Sequence, residues 1–75
     1  MELRKVVGAN IRREREAQSL AQDELAHMAD VHVTYLSGVE TGKRNITLNV
    51  LERIANALGK PEQDLVARPK RPMGF

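Results

Sequence analysis

Apolar residues along this chain recur every three or four positions, and no stretch sustains the two-residue alternation of a half-buried strand. Leu3, Val7 and Ile11 stand at i, i+4 and i+8 with Val6 beside them, while Arg4, Arg12 and Glu16 face away. That stripe predicts an amphipathic helix over residues 3–17. Ser19 interrupts it, and Leu20 tucks back under the core. A short second helix is expected over 22–29, with Leu25, Ala26 and Ala29 inward. Asp23 and Glu24 sit in its first turn, where carboxylates complement the helix dipole. A third spans 32–41 and is stopped by Gly42, which takes left-handed geometry without a Cβ penalty. Thr47 caps a fourth that runs to Leu58, with Leu48, Leu51, Ile54, Ala55 and Leu58 on one stripe and Gly59 after it. Pro61 suits the first turn of a brief fifth helix ending near Val66. The fold expected is all-α: a compact five-helix domain over 1–66, followed by an unstructured basic, proline-containing tail at 67–75.

A chain of 75 residues buries roughly 60% of its unfolded surface, enough for one modest core but not for a deep catalytic cleft. It has no cysteine, so disulfide and thiolate chemistry are excluded and a reducing, cytoplasmic setting is expected. Its apolar runs are too short for a membrane span or a signal-peptide core. His27 and His32 have no nearby third ligand, and Asp23-Glu24 reads as a helix start rather than an acid/base couple. There is no phosphate-cradling loop or nucleophile elbow. Neither an enzyme nor a metal, cofactor or small-molecule ligand is expected.

Charge has to be read locally. The net of +2 includes Arg68, Lys70 and Arg71 of the tail, and residues 1–66 carry nine positive against ten negative charges. Bulk charge alone does not point to nucleic acid. An anion-binding surface has to come from clusters such as Arg12, Arg13 and Arg15, or Lys43 and Arg44.

The second and third helices, joined by the tight turn at Asp30-Val31, form a helix-turn-helix unit whose second member can lie in the major groove. At 100° per residue Thr34, Ser37, Gly38 and Thr41 share one stripe, and Leu36 and Val39 point the other way. No residue on that polar stripe is larger than threonine, which permits close approach to base edges.

From about Val7 to Leu65 the sequence resembles the Cro/CI-type, or XRE-family, helix-turn-helix regulators. The residues that carry the likeness are Ile11-Arg12, Arg15, Leu20-Ala21-Gln22-Asp23-Glu24-Leu25-Ala26, Tyr35-Leu36-Ser37, Glu40 and Gly42-Lys43-Arg44-Asn45. It continues through Leu51, Ile54, Ala55, Leu58-Gly59 and Leu65. Within the family, the run Thr34 to Glu40 followed by Arg44-Asn45 looks most like the controller proteins of restriction-modification systems.

The resemblance implies a transcriptional regulator, a repressor or an activator, that excludes or recruits RNA polymerase by where it sits on DNA. It implies a homodimer on a near-palindromic double-stranded operator, its two recognition helices about 34–36 Å apart. His32, Val33, Thr34 and Tyr35 would lie against base edges, with Ser37 and Gly38 as a close-contact floor. Gln22, Arg44 and Asn45 would hold phosphates, with Arg15 and Lys43 as further candidates. The dimer seam would draw on Ile46, Val50, Leu65 and Val66. Three departures from the family pattern matter: Ala21 replaces a capping hydroxyl, Asp30 replaces the turn glycine, and Val33 replaces an Arg or Gln. The last leads to the expectation that Val33 and the Thr34 methyl read thymine methyl groups, helped by DNA shape.

Several residues carry two readings. Arg15 suits a phosphate or an ion pair with Glu40. Arg12, Arg13 and Lys43 suit contacts or plain solvated charges. Tyr35 suits packing or base contact, His32 a helix cap or a base contact, and Gly38 close approach or a tolerated small residue. The tail suits a mobile phosphate-binding arm or a solubilising end. An antitoxin or other protein-interaction module, with DNA binding secondary, is the alternative function; a scaffold that has lost DNA binding is a third.

Overall fold

The structure, a computed structural model, describes residues 2–69. Five helices follow one another: α1 (Leu3–Ala17), α2 (Gln22–Ala29), α3 (Val33–Glu40), α4 (Leu48–Leu58) and α5 (Glu62–Val66). There is no strand among the described residues. The fold is all-α, as the apolar spacing requires. The tail expected at 67–75 lies, from residue 70 onward, outside the described residues.

Three boundaries differ from expectation. α3 is one residue shorter at each end: His32 is extended at φ −68° and ψ 140° and holds the N-cap position, and Thr41 is the C-cap. Pro61 precedes α5 as its N-cap instead of lying in its first turn.

Four helices end in the same way. A left-handed residue lies one or two positions past the last helical one: Ser19 (φ 57°), Asp30 (φ 57°), Gly42 (φ 76°) and Gly59 (φ 67°). In each case the following N–H bonds back five residues, as in Leu20 to Arg15 (3.1 Å), Val31 to Ala26 (2.9 Å), Lys43 to Gly38 (2.9 Å) and Lys60 to Ala55 (3.0 Å). This satisfies carbonyls the helix would otherwise leave open. Glycine fills two of these positions without strain. Asp30 and Ser19 accept the same geometry at a cost of roughly 1 kcal/mol each. At helix starts, Thr47 Oγ1 accepts from the Val50 N–H (3.1 Å). Ala21 has no such acceptor, but the reciprocal half of a capping box forms, with the Ala21 N–H donating to Glu24 Oε1 at 2.8 Å.

Ile11, Leu25, Leu36, Val39, Ile54 and Leu65, one or more from every helix, make the fully buried centre. α1 packs across α3 and α5, and α2 against α3 and α4. Two contacts of α1 leave no trace in the helical period. Gly8 meets α3 backbone to backbone: a Cβ there would fall inside the van der Waals shell of the Val39 carbonyl oxygen. Buried Asn10 donates through Nδ2 to the carbonyls of Leu65 (2.9 Å) and Ala67 (2.8 Å), tying the end of α5 to α1. Conversely, Leu3 and Leu48, both read as inward from the stripe, are exposed at 51% and 84%.

Candidate nucleic-acid interface

α3 leans on the core through Leu36 and Val39 and turns Thr34 outward, with Ser37 half-buried beside it. Its own charge is a single acid, Glu40, at the last helical position. The Glu40 side chain is only 1% exposed and meets the Arg15 guanidinium side-on, Nε to Oε2 at 2.8 Å and Nη2 to Oε1 at 3.0 Å. Arg15 Nη1 donates to the Leu20 carbonyl (2.7 Å), and Gln22 Nε2 adds a further bond to Glu40 Oε1 (3.0 Å). The hydrogen bonds Arg15 donates to Glu40 raise its pKa above the ordinary value, outweighing the desolvation that lowers it. One buried carboxylate therefore ties α1, the start of α2 and the end of α3 together.

This knot engages two of the residues expected at phosphates. Nε, Nη1 and Nη2 of Arg15 each donate one bond inward, so the ion pair expected between Arg15 and Glu40 forms. The Gln22 amide likewise donates to Glu40.

On the outward side the candidates are brought together. His32, Val33 and Thr34 are exposed at the head of α3, and the His32 imidazole makes no capping bond. Tyr35 is half-buried: its ring packs on the core and its hydroxyl donates to the Asn45 carbonyl (3.2 Å). The Thr41 hydroxyl is engaged by its own helix, donating to the carbonyls of Ser37 (3.0 Å) and Gly38 (3.3 Å). Lys43, Arg44 and Asn45 are exposed just beyond α3. Neither Lys43 nor Arg44 forms an ion pair among the described residues. The Arg44 guanidinium instead lies 5.9 Å from the Tyr35 ring centroid. The floor expected at Gly38 is occupied, because the Arg44 stem crosses it.

The residues assigned to a dimer seam do not form one patch. Leu65 is 0% exposed in the domain's own core, where it anchors α5, so its side chain is not available to a partner. Val50 lines a groove with Val31, His32 and Tyr35 on the α3 side. Ile46 and Val66 share a different groove with Leu3, Leu48 and Leu51. The exposure of Leu3 and Leu48, which the helical period assigned inward, could not be read from the sequence. Among the described residues there is no group of three or more metal-ligating side chains, and no helix long and apolar enough to cross a membrane.

The helix-turn-helix family profile matches residues 11–65. The chain is 38% identical over 65 residues to control protein C.BamHI of Bacillus amyloliquefaciens, covering 85% of this chain and 80% of that one. It is 34% identical over 68 residues to control protein C.SmaI of Serratia marcescens, with coverages of 91% and 81%. In structure it is similar to the restriction-modification controller protein C.AhdI from Aeromonas hydrophila, with a TM-score of 0.81 at 32% identity. That likeness covers 83% of this chain and 94% of the controller.

Proposed function

The chain belongs to the helix-turn-helix family of transcriptional regulators, and from that premise we propose that it binds specific double-stranded DNA as a homodimer on a near-palindromic operator. The outward face of α3 carries the reading. Thr34 and Ser37 form a low polar surface, Val33 is 41% exposed beside them, and the one acid of the helix is buried and neutralised behind. Val33 and the Thr34 methyl read thymine methyl groups, and Lys43, Arg44 and the N-terminus of α2 hold phosphates on either side. With few hydrogen bonds available to bases, DNA shape supplies part of the specificity. The restriction-modification controllers among its relatives support a regulatory role; exclusion or recruitment of RNA polymerase according to operator position is the mode of action proposed for it.

The proposed dimer seam is the groove lined by Leu3, Ile46, Leu48 and Val66. A leucine as exposed as Leu48 on a shared apolar patch is the kind of surface a second copy covers.

In-vitro selection of duplexes at two salt concentrations, with sedimentation of the same protein, tests this reading. Enriched half-sites one helical turn apart, a thymine opposite Val33 and a steep salt dependence are the expected result. Failure to enrich any duplex would overturn the DNA reading. An invariant guanine opposite Val33 would overturn the readout, and a monomer at micromolar concentration the dimer.

A further inference from the structure

Gly38 sits in the middle of α3, where glycine is disfavoured relative to alanine, and what fills the space of its missing side chain is Arg44. A Cβ on Gly38 would come to 2.6 Å from Arg44 Cγ and 3.5 Å from Arg44 Cβ. These atoms are near the backbone of Arg44, so the clash could not be relieved by moving the far end of the side chain. The backbone there is held too: the Gly38 carbonyl accepts from the N–H groups of Lys43 (2.9 Å) and Arg44 (3.1 Å). The same carbonyl accepts from the Thr41 hydroxyl at 3.3 Å. Further out, the guanidinium rests beside the Tyr35 ring at 5.9 Å, and the Tyr35 hydroxyl fixes the carbonyl of the next residue, Asn45. Arg44 is thus restrained at its backbone, its stem and its head, while its donors are left without an ion pair among the described residues.

From this we infer that Gly38 and Tyr35 are positioning residues for Arg44: the glycine admits its stem, the ring holds its head, and the guanidinium meets DNA already in place. The glycine accordingly serves the arginine and not a base edge. This rests on the DNA-binding reading and assigns the division of labour within that surface. Ordering one long side chain before binding instead of during it is worth about three- to tenfold in affinity.

The test measures affinity and melting temperature for the wild type, Gly38→Ala, Arg44→Ala and the double variant, using a duplex recovered by selection with the full chain. Gly38→Ala is expected to stay folded with a melting temperature within a few degrees of wild type, to bind about three- to tenfold more weakly, and to add no loss in the Arg44→Ala background. Its salt slope stays at the wild-type value because the charge is still present, whereas Arg44→Ala lowers the slope by about one. Tyr35→Phe, which keeps the ring, loses less than Gly38→Ala. An equal loss from Gly38→Ala with and without Arg44 would show that DNA itself needs the glycine, and would overturn the proposal. So would unchanged affinity in Gly38→Ala. Should that variant melt early, Arg44→Lys decides the same question: it keeps the charge without the flat head, and wild-type affinity there would contradict the positioning. A wild type that binds no duplex sinks both readings, while wild-type binding with additive losses sinks only this one.

Discussion

Two arginines flank α3 and are handled in opposite ways. Arg15, behind the helix, is 12% exposed, pairs bidentately with Glu40, and also donates to the Leu20 carbonyl. Arg44, in front of it, forms no ion pair among the described residues and rests against an aromatic ring, a contact worth only about 0.5–1 kcal/mol at an exposed site. The first gives its charge to the fold; the second is left without an acidic partner among the described residues. Net charge could not show this, because the two residues count equally in composition. A recognition helix needs both: a rigid brace on one side, and on the other a surface whose donors are still open.

The comparison predicts that variants behind the helix lose stability and variants in front lose binding. The largest stability effect belongs to Arg15→Ala. It leaves the Glu40 carboxylate buried with only the Gln22 amide beside it, and is expected to cost about 3–5 kcal/mol in urea unfolding. A loss below about 1 kcal/mol, the range of an exposed pair, would break the distinction between the two arginines. Gly8→Ala comes next. Its new methyl would press on the Val39 carbonyl, a backbone atom that moves only with α3, so a cost of about 1–3 kcal/mol is expected. The same change at Gly38 meets a side chain instead of backbone and is expected to cost less than Gly8→Ala, so the two glycines sharpen the contrast. Equal destabilisation at both positions would erase it.

How far this was legible in the sequence depends on the range of each interaction. The helices and two of their left-handed stops, Gly42 and Gly59, follow from spacing and local backbone chemistry, which neighbouring residues determine. The contacts that set how helices cross do not. Gly8 against Val39 and Asn10 against the carbonyls of Leu65 and Ala67 join residues far apart in the chain, and nothing in the period of α1 marks them. A stripe also fails to say how wide the buried face is: Val6 and Val7 are both covered on α1, while Leu3 and Leu48 lie outside. In the candidate interface, the sequence left Arg15 divided between a phosphate and Glu40, and Gly38 between close approach and mere tolerance. Both depend on where one side chain passes another, which is fixed only once α1, α3 and the loop after α3 are packed.

The most direct measurement changes the outward face alone. Thr34→Glu combined with Ser37→Glu places two carboxylates where the account puts DNA, without touching the Arg15–Glu40 brace. Affinity for the selected duplex is expected to fall by more than about a hundredfold, with unfolding free energy within about 0.5 kcal/mol of wild type. Retained affinity in that folded double variant would mean that this molecule meets DNA with some other surface, or does not meet it through α3 at all.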